Sequence, residues 1–387
     1  MKSRRIHFIN FARKFAVTTT FFLAPLHFLK LGFGGLAIGI IVSGFAAAPA
    51  LFAFPTGWIN DRLSLKRVIL SALLAQGLLL FLIGQVDEAA TMTLLFLLLG
   101  IANAALDVSI NSLYYKDESE ENPNRKYGSY ILWLSLGPPA GMILGGALIF
   151  YSGFRMLMAV LAILTCLSGL SLRGFHGERF SVVTIREYRS NILNRRIVAF
   201  ALLLFILALH WGVEGTVYSP FLRSRFGLND FGVSLFISLT YLALAVSSLV
   251  VSRLRFNPKQ KRGLFLLGMV LSGAGLAFMP QSDVRLSFLF RFIHESGDGL
   301  LGVMSVLYIS GLFEKRTIGG SAGILTALQT SGQMAGALVF SWIGFRAGLQ
   351  YPFFIAGTLL VINAALGLFA LPREEATPAC KREPAGG

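Results

Sequence analysis

The chain of 387 residues is 55% hydrophobic and only 14% charged, against about 25% charged residues in soluble domains, which excludes a soluble globular protein and leaves no room for a sizeable soluble domain. Two cysteines, Cys166 and Cys380, exclude a disulfide framework and a cysteine-ligated metal. The formal charge of +15 is scattered over short connections between apolar runs rather than gathered in a patch, so no nucleic-acid partner is expected.

Hydrocarbon thickness asks for about 20 apolar residues per helix, and such runs predict an all-α membrane protein of twelve spans: 10–31, 34–55, 68–86, 91–115, 127–151, 155–175, 197–221, 232–252, 263–281, 286–313, 318–341 and 350–371. Placing both termini in the cytoplasm leaves Lys30, Arg155, Arg223, Arg225, Arg285 and Arg346 outside and Arg291 within a span. Every other Lys and Arg then falls inside, a strong positive-inside bias. The basic N-terminus resembles a signal peptide, but no small-residue cleavage site follows, so the first apolar run is expected to be retained.

The first span carries Arg13, Lys14 and a Thr18-Thr19-Thr20 patch. The second is rich in Gly and Ala and ends at Pro55, where a loop follows: Gly57-Trp58-Ile59-Asn60-Asp61-Arg62-Leu63-Ser64-Leu65-Lys66-Arg67. A tight turn and positive charge on the inner face explain the glycine and the cations, but not Asp61.

This loop resembles the Gly-x-x-x-Asp-Arg signature between helices 2 and 3 of the major facilitator superfamily. Gly57, Asp61 and Arg62 match in place; Ser64 replaces the usual glycine, and the basic pair arrives late as Lys66 and Arg67. The resemblance implies a cytoplasmic latch. Asp61 would meet the positive N-terminal end of helix 11 near Thr317, while Arg62, Lys66 or Arg67 reaches Asp117 at the inner end of helix 4.

Helix 4 places Asn103, Asp107 and Asn111 at successive i+4 positions. The asparagines serve equally well as helix-packing groups, whereas Asp107 is expected to pair with Arg13 of helix 1. Helix 5 reads Gly137-Pro138-Pro139-Ala140-Gly141, which predicts a kink and partly resembles the glycine-proline motif of major facilitator antiporters. It departs from that motif at Met142 and lends a slight lean to efflux. Residues 176–196, polar and basic, are expected to link an N-terminal six-helix bundle (1–175) to a C-terminal one (197–387).

The halves repeat weakly. Gly128-Ser129 recurs as Gly320-Ser321, Gly137 and Gly141 as Gly332 and Gly336, and Asp107 lies within a residue of mapping onto Asp298. Such a parallel duplication suggests pseudo-symmetric bundles with a site at the midplane between them.

The densest polar signal is Phe290-Arg291-Phe292-Ile293-His294-Glu295-Ser296-Gly297-Asp298-Gly299 in helix 10, where Arg291, His294, Glu295 and Asp298 share one face. Helix 7 adds His210, Glu214 and Tyr218, at depths that let Glu214 meet Arg291. Charge in lipid is costly unless paired or wetted, so these residues are expected to face a shared wet chamber. The family resemblance implies that helices 1, 4, 7 and 10 line it.

A buried carboxylate that exchanges a cationic partner can take up and release a proton, which makes Asp298, Glu214, Glu295 and His210 candidates for proton coupling. Arg13, Asn103, Asp107, Asn111, Arg291, His294, Tyr218, Trp211 and Gln329 are expected around a small organic solute, with Phe21, Phe22 and Phe292 adding aromatic surface. Arg291 serves either as an anion anchor or as the counter-ion of Glu295. An ion-pair network without transport, and a receptor with the same fold, remain alternatives, as does uptake of a nutrient or organic anion.

No nucleophile-base set, phosphate loop or metal spacing points to an enzyme, and no cofactor is expected. Ordinary pairing accounts for His210, His294 and Glu295 better than metal ligation does. A monomer in the cell membrane, in contact with lipid and exchanging protons, completes the expectation.

Overall fold

The computed structural model describes residues 2–60, 64–116, 123–173, 195–313 and 318–371. Helices α1 (Lys2–Lys30), α2 (Gly35–Asn60), α3 (Leu65–Ile83) and α4 (Ala89–Lys116) come first. The helical stretch Pro123–Ser168 breaks at Gly153, whose φ of 82° suits glycine and separates α5 from α6. After the undescribed stretch 174–194, α7 starts at Arg195 and runs through a π-helical turn, Glu214–Tyr218, to Phe226. Then follow α8 (Asp230–Ser252), α9 (Pro258–Phe278), α10 (Val284–Leu312), α11 (Ile318–Ala347) and α12 (Tyr351–Ala370). The described residues contain no strand.

Eight helical stretches are long and apolar enough to cross a membrane, one of them, Ser129–Leu172, covering both α5 and α6. The expectation of twelve spans is met in part: α1, α10 and α11 fall short of that apolarity, and α1 and α10 bury charged side chains within them. The outer surface is apolar, with Leu51, Leu78, Tyr151, Ile163 and Phe369 among many exposed large side chains, as expected of a surface facing lipid.

Local sequence explains the starts of three helices. Asn229 accepts from the Gly232 amide at the head of α8. Asn257 and Gln260 form a capping box at α9 with Pro258 in its first turn. Asp283 accepts from the Arg285 and Leu286 amides at α10.

Glycines set the interhelical contacts. A methyl built on Gly137 or Gly141 of α5 would lie 2.5 Å from the Phe11 or Phe15 carbonyl oxygen of α1. On Gly332 or Gly336 of α11 it would lie 2.1 Å from the Phe205 or Leu209 oxygen of α7. The small-residue spacing that recurs in sequence therefore does the same job twice, bringing helix 5 onto helix 1 and helix 11 onto helix 7.

Two of the most extensive interfaces, α2 with α11 and α5 with α8, join the first six helices to the last six. The Ser219 hydroxyl donates to the Phe22 carbonyl at 2.5 Å and the Ser238 hydroxyl to the Pro139 carbonyl at 2.9 Å across the same divide.

One expectation needs correction. The run from Gly57 to Asn60 is not loop but the last turn of α2, with Gly57 buried, and Lys66 and Arg67 lie in the first turn of α3. Helical dihedrals continue through Pro138-Pro139, and the residue with non-helical dihedrals within Pro123–Ser168 is Gly153. Asp61, Arg62, Asp117, Thr317, most of the 176–196 linker and the tail with Cys380 lie outside the described residues.

Candidate functional site

Two polar networks occupy the helix interior. In the first, Arg13 of α1 is completely buried; its Nη1 lies 2.5 Å from Asp107 Oδ1 of α4, and its Nε donates to Asn10 at 2.8 Å. Asn103 donates to the second Asp107 oxygen at 2.8 Å, and Tyr130 of α5 donates to Asn111. The polar stripe of α4 thus supports an interhelical ion pair.

The second network joins α7, α9 and α10. Arg291 Nη2 donates to Glu214 Oε1 and, at 2.6 Å, to Glu295 Oε1 one turn along its own helix. Its guanidinium carbon stands 4.2 Å from the centre of the Tyr218 ring, a cation–π contact. His294 Nε2 reaches Glu214 Oε1 at 3.1 Å and lies 3.8 Å from Asp298 Oδ2. His210 Nε2 lies 3.2 Å from that same Asp298 oxygen. Ser272 of α9 closes the circuit: its hydroxyl donates to Asp298 Oδ1 at 2.6 Å and lies 3.0 Å from His294 Nδ1. All these groups are buried except Asp298, which is part-buried at 13% exposure.

The π turn contributes to the cluster. It inserts one extra residue per turn at Glu214–Tyr218 and so rotates Tyr218 relative to a regular helix; the stretch is buried throughout.

The structure brings together His210, Glu214, Tyr218, Arg291, His294, Glu295 and Asp298, but it leaves Arg13, Asn103, Asp107 and Asn111 in a separate network. Among the described residues no hydrogen bond or ion pair joins the two. Trp211 stands edge-on to His210 with ring centres 5.8 Å apart, and Phe22 meets Tyr218 edge-on at 6.0 Å. Phe292 is 41% exposed, and its ring pairs with Phe288 at 6.4 Å rather than directly with Phe21, Phe22, Trp211 or Tyr218. Gln329 is part-buried, and the Thr330 hydroxyl is satisfied by carbonyls of its own helix.

Gly297 and Gly299, which flank Asp298, are helix contact points: a methyl on either would lie within 2.5 Å of Ser272 on α9 or Ser247 on α8.

Sequence reasoning missed Ser272, which in Leu271-Ser272-Gly273-Ala274-Gly275 looks like a packing residue. His210 stays near its helix neighbour Glu214, and its Nε2 meets Asp298 across the helices. A third ion cluster was missed: Lys30 at the end of α1 reaches Asp230 at the start of α8 at 2.5 Å, with Arg223 at 3.1 Å from the other oxygen.

His210, Glu214 and His294 present nitrogen and oxygen atoms within 4.8 Å of one another, so Glu214, not Glu295, is the carboxylate grouped with the two histidines. The Glu214 oxygen that a metal needs is already held by Arg291 as well as His294. A guanidinium bound to a ligand atom repels a second cation there, so the set fits an ion-pair network better than a metal centre.

The sequence profile of the Major Facilitator Superfamily matches residues 6–202 and again 200–386. Among solved structures, the human organic anion transporter MFSD10 (TETRAN) is similar at 17% identity and a TM-score of 0.75, covering 94% of this chain and 99% of that one. A mutant of the nucleoside transporter NupG is similar at 15% identity and a TM-score of 0.75, covering 95% and 99%. A POT family transporter in complex with a thioalcohol-conjugated peptide is similar at 16% identity and a TM-score of 0.70, covering 94% and 95%. No curated protein sequence matches the chain.

Proposed function

Because the chain belongs to the Major Facilitator Superfamily, we propose that it is a secondary active transporter that moves a small organic solute by alternating access and couples that movement to protons. The observation that carries this reading is the buried α7–α10 cluster. Six ionisable side chains, Arg291, Glu214, Glu295, His210, His294 and Asp298, meet within the apolar interior. Buried ion pairs are poor stabilisers once desolvation is counted, so stability alone is a thin reason for so many. Intramembrane ionisable groups mark ion and substrate pathways.

Residues 1–175 and 197–387 rock against each other, with 176–196 linking them on the inner face, where the segment from Gly57 to Arg67 acts as a latch with Asp61, Arg62 and Asp117. The basic-residue distribution supports a cell membrane protein with both ends in the cytoplasm. On that orientation the Lys30–Asp230 pair bridges the halves at the outer end. Arg291 bound to two glutamates favours a counter-ion role over a free anion anchor. The protein works as a monomer, as a carrier rather than an enzyme.

Flux into proteoliposomes under an imposed pH gradient tests this, with organic anions, nucleosides and peptides in the panel. Gradient-driven accumulation of one class is expected, and the direction of movement separates uptake from efflux. In Asp298→Asn, substrate exchange should persist while uphill accumulation is lost. Ligand binding without flux in any member of the panel would favour a receptor.

A further inference from the structure

The cluster carries three carboxylates, Glu214, Glu295 and Asp298, against one permanent cation, Arg291, leaving two negative charges in a site where water barely reaches. The histidine geometry tells how that imbalance is met. His210 Nδ1 faces the Leu207 carbonyl oxygen, and His294 Nδ1 lies 2.8 Å from the Ser272 carbonyl oxygen. A carbonyl only accepts, so each Nδ1 carries a hydrogen. A neutral ring then has a bare lone pair at Nε2, and both Nε2 atoms face carboxylate oxygens, Asp298 Oδ2 at 3.2 Å and Glu214 Oε1 at 3.1 Å. Two acceptors cannot face each other in a dry site without a proton between them.

We propose that the cluster binds two protons at once, one between His210 and Asp298 and one between His294 and Glu214, and that the structure is this neutral, closed form. Tautomer geometry and charge balance arrive at the same number independently. Glu295 Oε1 accepts from Arg291 Nη2 at 2.6 Å, and the count sets it against that one permanent cation. The inference deepens the proton-coupled reading and rests on it only in holding that both protons travel.

Among the described residues the surroundings leave no other source of balancing charge. On α7 the facing titratable groups are His210, Glu214 and Tyr218, and on α10 Arg291, His294, Glu295 and Asp298. Helix α8 contributes Tyr241, and α9 contributes Ser272, which does not titrate near neutrality. Helices α1, α11 and α12 present Phe21 and Phe22, the Gly336-Ala337 backbone and Phe353.

Release needs water. When the site opens, each carboxylate is hydrated, the Nε2–H bond breaks, and the proton passes to water as hydronium, leaving a neutral imidazole and a carboxylate. Asp298, 13% exposed where Glu214 is 6% and the histidines 0%, is wetted first, so the His210 proton leaves first.

The test is nitrogen NMR of the full-length protein in lipid nanodiscs at neutral pH with 15N-labelled histidine. The five histidines are assigned through single Gln variants at His7, His27 and His176. Both His210 and His294 are expected as imidazolium, with two protonated ring nitrogens each. A neutral ring at either position overturns the proposal, and so do neutral rings together with stoichiometric uptake of added zinc. Asp298→Asn should leave His210 neutral and His294 charged, and Glu214→Gln the reverse; two charged rings in either variant also overturn it. The wild-type measurement stands even where a variant fails to fold. Two imidazolium rings without proton-linked flux would uphold the site and refute the coupled-transport reading.

Discussion

Arg13 of α1 and Asp107 of α4 meet at 2.5 Å with the arginine wholly enclosed, and the last six helices repeat the relationship with His210 of α7 and Asp298 of α10 at 3.2 Å. In each set a basic side chain from the first helix meets a carboxylate from the fourth. One pair has a permanent charge and the other a titratable one. The first is suited to hold structure and the second to change it.

Asp107→Asn should therefore be costly. It leaves a buried guanidinium facing a neutral amide, and breaking such a pair costs about 3–5 kcal/mol, to be read as a large fall in thermal stability in detergent. The double variant Arg13→Met with Asp107→Leu should recover most of the loss, because it removes both charges. A double variant no more stable than the single would show that the pair does more than balance charge.

Gly336→Val should abolish the folded, monodisperse protein. The added carbon would lie 2.1 Å from the Leu209 carbonyl oxygen of α7, and backbone cannot yield as a flexible side chain can. Gly263→Ala is the matching control. Nothing lies within 4 Å of its added methyl, and replacing a helical glycine by alanine stabilises by up to about 1 kcal/mol. Equal behaviour of the two by size-exclusion chromatography would argue against the close α7–α11 contact.

Removing the Ser272 hydroxyl as Ser272→Ala takes one hydrogen bond from Asp298. Loss of a bond to a charged group costs about 1.5–3 kcal/mol, whereas the exposed Ser71→Ala should change little. Indistinguishable melting curves for the two would remove Ser272 from the network.

Asp230→Asn weakens the tie between α1 and α8. Lys30 is 45% exposed, so the pair contributes at most about 1 kcal/mol and the melting point should barely move. Its effect should be conformational. A cysteine at Phe22, which packs against α7 and α8, should react faster with a water-soluble maleimide when Asp230 is neutralised in a background lacking Cys166 and Cys380. An unchanged rate would mean that the tie does not hold the halves together.

Much of this architecture could be read from the chain. Long apolar runs gave the helices to within several residues, because hydrocarbon tolerates few alternatives to a satisfied helical backbone. Arg13 with Asp107, and Arg291 with Glu214, were foreseen from depth alone. The His210–Asp298 and His294–Glu214 pairings were not, since helix periodicity says which residues share a face but not which neighbour that face meets.

By itself the sequence determined that this is a bundle of membrane helices with ionisable groups committed to its interior, because the expense of charge in lipid makes such residues conspicuous wherever they occur. Only the tertiary structure decided that their contacts fall into two networks, that a serine on α9 belongs to the larger, and that His210 and His294 each turn Nδ1 to a carbonyl. Those outcomes depend on how helices are rotated against one another, which is set by glycine contacts and a π turn acting between elements rather than within them.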